Sequence, residues 1–360
     1  MKLFAKKQSY LGIDLGTASI KVVELANVGG TARLVTYGFA ELPVDEVKFD
    51  VHQKIEQSAY TLTQICKRAR VTSRQAVAAL PTFSVFSSVL TLPVMNEREV
   101  GQALTYEAKK IVPLPLEEMI LDWKILHDKP TTEAGKISVA PNHHDKSMRV
   151  LLTAAPKNLV KQYLEIFSQA NLELLSLETE AFALGRSLLG NDPSLVLVVD
   201  IGALTTDIVI VDDHIPVFNR SIDVGGVTVT KAISNSLNVD EARAEQFKRD
   251  VGIVRVMSGP SGVPNTIKET ISSVINEMKY SLSLYQADRE KNVEKIILTG
   301  GSAFLPNLAE YLEEIFKIKV VVGDPWSQVA YPTELKGVLD EIGPRYSTAI
   351  GLALREIHKW

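Results

Sequence analysis

The 360 residues are 46% hydrophobic and 23% charged, a globular composition on a chain longer than one core usually serves, so two lobes are expected. A formal charge of −4, from 39 basic and 43 acidic residues, excludes a general electrostatic attraction to nucleic acid or to an anionic membrane. No apolar run reaches the ~20 residues that cross a bilayer, and the start MKLFAKKQSYLGIDLG lacks the long apolar stretch of a signal peptide, so a cytoplasmic chain is expected.

In chain order, Tyr10 to Leu25 reads as a hairpin, two β-rich runs around a Gly/Thr/Ser turn. A third strand, ARLVTYGFAEL, follows the Gly29-Gly30 turn. Next come a helix from Lys54 to Arg70, with Cys66 on its apolar stripe and read as a buried thiol, and the strand QAVAAL, stopped by Pro81. Between about Phe83 and Lys157 the pattern becomes that of a small α+β module: strand SVFSSVLTL, helix Glu97 to Ile111, the stop VPLP, then strands MILDWKIL and SMRVLLTAA. Its polar stretch Asp128 to Lys146 is expected to be an exposed hairpin or loop, and the His143-His144 pair there has no third ligand at a usual metal spacing.

Helices from Lys157 to Ala170 and from Glu180 to Leu189 return to the first lobe. After the turn GNDPS, the run LVLVVDIGALTTDIVIVDD repeats the N-terminal design of apolar strand, Asp-x-Gly turn with hydroxyls, and apolar strand. The motif occurs at Asp14 and again at Asp200, which predicts two related lobes. Beyond the Gly225-Gly226 turn come helices Val227 to Leu237 and about Asp240 to Arg249. A long helix follows whose Ile267, Ile271, Val274, Met278, Leu282 and Tyr285 form a one-sided stripe. The strand KIILTG meets Gly300-Gly301-Ser302, a helix runs from about Pro306 to Phe316, and strand KVVVGDP and helix Ser347 to His358 close the chain. The expected division is a first-lobe core over 1–83, completed by 157–190 and 345–360; an inserted subdomain over 84–156; a second-lobe core over 191–230 and 290–344; and an outer part over 231–289.

The segment from Asp14 to Lys21 holds a carboxylate at a strand end, a glycine that lets backbone N–H groups approach an oxyanion, hydroxyls, and a lysine on the next strand. A plain hairpin turn would also use Gly and Thr. The second copy, Asp200 to Asp207, sharpens the reading, because two facing hairpins can clamp one triphosphate and two acidic turns need a cation between them. Mg²⁺ suits this arrangement, since it keeps several waters and reaches carboxylates through them. Thr299-Gly300-Gly301-Ser302 would let backbone lie flat against a base or sugar.

The order GIDLGTASIK, ETEAFALG, VDIGALTTDIVIV, LTGGSAFLPNL resembles the phosphate 1, connect 1, phosphate 2 and adenosine motifs of the actin and Hsp70 superfamily. Within it the chain is similar to the PilM family of type IV pilus assembly proteins, through ALPTFSVFSSVLTLPVMNEREVGQALTYEAKKIVPLPLEEMILDW and LLTAAPKNLVKQYLEIFSQANLELLSLETEAFALGRSL. The resemblance covers nearly the whole chain. It implies an actin-like, two-lobed α/β fold with a small α+β insertion, binding ATP with Mg²⁺.

Carried over residue by residue, the resemblance gives Asp14, Asp200 and Asp207 to the hydrated Mg²⁺, and Gly16, Thr17 and Lys21 to the phosphates. Gly202, Thr205 and Thr206 close the other side, and Gly225 and Gly226 are counted with the cofactor-binding residues. Glu245 and Lys248 flank ribose and adenine, with Gly300, Gly301 and Ser302 beneath the nucleoside. Glu178 aligns with the water-orienting position of connect 1, and Glu180 stands two residues on; either could instead be the solvated first turn of a helix. Hydrolysis is expected to be slow or absent.

The implied partner is the cytoplasmic N-terminal peptide of the single-span protein PilN, in a groove between the first lobe's core and the insertion that involves Val85, Val89, Leu92, Lys109 and Leu114. Other inner-membrane pilus assembly proteins and self-association are further expectations, with peripheral placement at the inner membrane face through a partner. An FtsA-like filament-forming division or shape protein is the alternative, and a sugar or acetate kinase on the same fold a third reading.

Overall fold

A computed structural model describes residues 8–42, 55–126, 147–253, 262–286 and 291–358. The expected loop at Asp128 to Lys146, with His143-His144, and the expected helix start at Lys54 lie outside them. The chain divides into two compact units, Met1–Phe83 with Gln162–Trp360, and Ser84–Lys161.

The first unit opens with β1 (Gln8–Leu15), β2 (Ser19–Val28) and β3 (Thr31–Glu41), an antiparallel meander, followed by α1 (Ile55–Arg68) and β4 (Gln75–Leu80), which pairs parallel to β1. The chain then builds the second unit from β5 (Phe86–Pro93), α2 (Glu97–Ile111), β6 (Met119–Leu126) and β7 (Ser147–Pro156). Helix α3 (Lys157–Gln169), β8 (Glu173–Thr179) and α4 (Glu180–Leu189) come next; β8, between the two expected helices, is a strand that the periodicity did not reveal.

The second half of the first unit repeats the opening: β9 (Val196–Ile201), β10 (Thr206–Asp212) and β11 (Ile215–Ile222) form another meander. Then come α5 (Gly226–Leu237), α6 (Glu241–Val251), α7 (Gly262–Gln286), β12 (Lys295–Thr299), α8 (Leu308–Phe316), β13 (Lys319–Val322), β14 (Val329–Ala330), α9 (Lys336–Ile342) and α10 (Ser347–Leu354). One sheet has the order β14-β3-β2-β1-β4-β8, the other β11-β10-β9-β12-β13. In both, a meander is continued on its first strand by two parallel strands (β4 and β8; β12 and β13), so the sequence repeat is a topological repeat. The all-apolar look of LVLVVDI has its reason here: β9 is a central strand covered on both faces. Every residue of the α7 stripe is buried in the core that covers one face of the second sheet.

Two helices tie the sheets together. Helix α4 follows the first sheet but packs Ala181, Leu184 and Leu189 on β9 and β10, whereas α10 lies on the first sheet through Ala349, Ile350 and Ala353. They cross so closely that a methyl group on Gly351 would stand 1.9 Å from the Ala183 carbonyl oxygen, and one on Gly12 of β1 would stand 1.8 Å from that of Ala349. The second unit is a three-stranded antiparallel sheet, β5-β7-β6, with α2 packed on it through Val100, Leu104 and Ala108. Asn96 and Glu99 form a reciprocal capping box that starts α2.

Candidate functional site

The two Asp-x-Gly hairpins share one register. In the first, Asp14 of β1 stands opposite Lys21 of β2; in the second, Asp200 of β9 stands opposite Asp207 of β10. The cross-strand partner differs in sign. Lys21 Nζ donates to Asp14 Oδ2 at 2.9 Å, which neutralises the first pair. The second pair is two carboxylates directly across a ladder, a repulsive arrangement.

Desolvation, then the charges of Asp207 and Asp14, push the Asp200 carboxyl up to about 7. Desolvation and Asp14 push Asp207 up to about 6. Lys21 acts on Asp200 in the opposite direction, so both hairpins work in one electrostatic field. Among the described residues Asp207 Oδ1 is buried without a hydrogen-bond partner; the Ser221 hydroxyl is near enough to temper its charge without making a bond. No group of three or more His, Cys, Asp or Glu side chains among the described residues stands close enough to hold a metal directly. The unpartnered oxygen of Asp207, across the ladder from Asp200 and in the field of Asp14, is a donor set compatible with a hydrated divalent cation.

The two carboxylates of the ETE segment part company. The expected water-orienting role at Glu178 meets a different arrangement: Glu178 receives two bonds from Arg186, at 2.7 and 3.0 Å, and a second cation, Arg355, stands 3.3 Å away. Arg186 is itself buried and also donates to the Gly351 carbonyl oxygen at 2.7 Å. Strand β8 ends at Thr179 and α4 begins at Glu180, so the two-residue spacing does not keep both carboxylates on one strand face. Glu180 is the member in the aspartate field: desolvation first, then Asp207, Asp14 and Asp200, hold its carboxyl well above the usual range. Its Oε2 accepts from the Thr82 N–H at 2.8 Å and from Thr82 Oγ1 at 3.0 Å.

The glycines act mostly by permitting close approach. Gly202 N donates to the Thr205 carbonyl oxygen, closing the second turn. The backbone donors at Gly225 and Gly226 are taken up within the chain: Gly226 N and Val227 N donate to the Gly202 and Ala203 carbonyl oxygens and Gly225 N to Thr228 Oγ1. The start of α5 thus braces the turn instead of offering those donors to an anion. Thr206 is likewise turned inward, its hydroxyl donating to the Val224 carbonyl oxygen at 2.6 Å, while the adjacent Thr205 and the first turn's Gly16 and Thr17 stay half-buried at the hairpin tips.

Lys248 and Glu245 form an ion pair on α6; Lys248 also donates to the Gly226 carbonyl oxygen and to Thr230. Burial pushes the Glu245 carboxyl up, yet bonds from Lys248 and Thr230 leave it lowered. Gly300 has φ +85, and a methyl group there would meet Asp200 Oδ1 at 2.2 Å, whereas Gly301 faces open space. A methyl on Gly226 would meet Ser302 Oγ at 2.7 Å, so the α5 start and the Gly-rich strand end adjoin. Gly300 N and Thr299 Oγ1 bond to the Pro344 carbonyl oxygen, a support that sequence reading missed.

In the second unit, the partner residues separate by strand parity. Phe86, Leu90 and Leu92 face α2, so Leu92 belongs to that unit's own core and is not a surface contact. Val89 points to the opposite face of β5 and is half-buried, Val85 is buried, and Lys109 and Leu114 are exposed. Cys66 is half-buried in α1, with its thiol pushed up to about 11 by burial and Glu24. Among the described residues no helix is long and apolar enough to cross a membrane.

Comparison with known proteins decides the family: the profile of the type IV pilus assembly protein PilM matches residues 12–357. The chain belongs to the PilM family. A solved PilM-PilN type IV pilus biogenesis complex superposes with a TM-score of 0.80 at 25% identity, covering 97% of this chain and 98% of that one. The fold is actin-like: MreB5 of Spiroplasma citri bound to ADP gives a TM-score of 0.51 at 17% identity over 96% of this chain and 94% of that one. Among curated relatives, the cell division protein FtsA of Neisseria meningitidis serogroup B is 22% identical, over 96% of this chain and 90% of its own. That of Pseudomonas aeruginosa is 24% identical over 97% and 89%.

Proposed function

We propose that this PilM-family protein is a nucleotide-dependent scaffold of the type IV pilus machinery, binding ATP with Mg²⁺ and presenting its inserted unit to a PilN-like cytoplasmic peptide. One observation carries the nucleotide reading: the Asp200–Asp207 pair repels itself across the ladder, and its Asp207 oxygen lacks a partner where a triphosphate's cation would stand. Mg²⁺ would be held through water by Asp14, Asp200 and Asp207, and supplies charge neutralisation for the phosphates when bound. Lys21, Gly16, Thr17, Gly202 and Thr205 face the phosphates; Gly300, Gly301, Ser302, Glu245 and Lys248 take the nucleoside side. Glu180, rather than Glu178, is the residue for any slow turnover, since Arg186 occupies Glu178. The outer part of the second lobe, 231–289, then covers the base, and the insertion, 84–156 in the sequence division, carries the partner surface around Val89 and Leu114.

The likeness to the PilM-PilN complex supports the partner reading, and attachment to the inner membrane face through such a partner is part of the same proposal. Melting with and without MgATP tests the nucleotide: a ligand at a hundredfold excess over Kd adds about 2.7 kcal/mol and raises Tm by several degrees. An unchanged Tm at millimolar MgATP sinks the reading. Asp14→Ala should abolish the shift, because it removes a metal-facing carboxylate and leaves Lys21 without its partner. The FtsA relatives make filament formation the second reading, and MgATP-dependent pelleting of the pure protein is its signature.

A further inference from the structure

The geometry points to Thr82 as the positioning residue for Glu180 and as the link between the nucleotide site and the inserted unit, an inference that rests on reading the site as one for nucleotide. The parallel β4–β8 ladder ends at the pair Leu80 and Thr179. It cannot continue: Pro81 has no N–H to donate, and the chain opposite turns into α4 at Glu180. The Glu180 side chain takes over where the ladder stops, one oxygen accepting both the N–H and the hydroxyl of Thr82, 98 residues away in sequence. Thr82 is 4% exposed, so neither bond is readily exchanged for water.

Thr82 opens a single 3-10 turn, Thr82–Ser84, and Ser84 is the first residue of the second unit. The carboxylate that fixes this turn belongs to the first residue of α4, whose next residue, Ala181, packs on β9 and β10, the strands that carry Asp200 and Asp207, and it lies in the field of Asp207, Asp14 and Asp200. With Asp14 already paired to Lys21, that field disfavours a charged Glu180 chiefly while Asp200 and Asp207 have no cation between them. A positive charge among them reverses the force on Glu180, and so changes the strength of its hold on Thr82. Occupancy of the site thereby reaches the backbone that leads into β5, through one side chain and two hydrogen bonds. The coupling needs no contact between the units beyond the chain itself.

Hydrogen exchange of the full-length protein tests this, in the parent, Thr82→Val and Thr82→Ser, each with and without saturating MgATP, with Tm measured on the same samples. Valine keeps the shape and the N–H but loses the hydroxyl; serine keeps both donors. MgATP should change the exchange of amides 84–92 by about threefold or more in the parent and in Thr82→Ser, and by less than half as much in Thr82→Val. The MgATP shift in Tm should persist in all three. A full response in Thr82→Val overturns the proposal, as does an unresponsive 84–92 segment in a parent whose Tm does rise. A parent whose Tm does not rise refutes the nucleotide reading itself, which separates the two failures. Thr82→Ala serves in place of valine should the valine variant fail to melt cooperatively.

Discussion

Replacing Asp200 by Asn should make the ligand-free protein more stable and its nucleotide binding worse, with a pH dependence that identifies the cause. The Asp200 carboxyl is pushed from its ordinary 3.8 to about 7. Between those values the folded chain keeps the proton and the unfolded chain has lost it. Stability from this group is therefore complete below about pH 4, falls as pH rises through about 7, and is flat above. Three units correspond to roughly 4 kcal/mol as a ceiling. Asp200 is only part-buried, so water relieves some of the strain and about 1–3 kcal/mol is the working expectation. At roughly 2–4 °C per kcal/mol, Asp200→Asn should melt several degrees above the parent at pH 8.5, with the gap clearly smaller at pH 5 and closing only near pH 4. Saturating MgATP should raise the parent at pH 8.5 and leave the variant nearly unmoved. A gap of equal size at both pH values would refute the reasoning, since packing changes do not titrate.

Gly351→Ala puts a methyl group 1.9 Å from the Ala183 carbonyl oxygen at the α4–α10 crossing, so the helices must separate; a loss of about 3 kcal/mol or more is expected in urea unfolding. Arg186→Met removes the two bonds to Glu178 and the bond to Gly351, and should cost about 3–5 kcal/mol, much of it restored in the double variant Arg186→Met with Glu178→Met. Gly300→Ala should lower both Tm and the MgATP shift, because its φ of +85 disfavours a side chain and the methyl would strike Asp200. In the second unit, Leu92→Glu should disrupt the fold by burying a charge against α2, whereas Val89→Glu and Leu114→Glu should melt like the parent and lose the partner peptide in a titration. Equal melting of the Leu92 and Val89 variants would contradict the assignment of strand faces.

Much of the site was legible because its information is local. Asp14, Gly16, Asp200 and Gly202 sit at strand ends in two copies of one motif, and the motif's spacing fixes which residue stands across the ladder. The α7 stripe was readable for the same reason: a period of 3.6 places its apolar residues on one face whatever they pack against. Strand β8 escaped because seven residues between two helices leave no room for a period to declare itself, and its parallel partner β4 lies nearly a hundred residues earlier. Sequence alone determined that two Asp-x-Gly hairpins exist and that their residues suit a phosphate and its cation. Only the tertiary structure decided between Glu178 and Glu180, since that choice depends on a strand ending at Thr179 and on the arrival of Arg186 and Arg355. It also decided that the starting N–H groups of α5 brace a turn and that Leu92 faces inward, because a hydrogen bond or a packed face belongs to whichever partner the fold brings within reach, and the chain's own order does not name it.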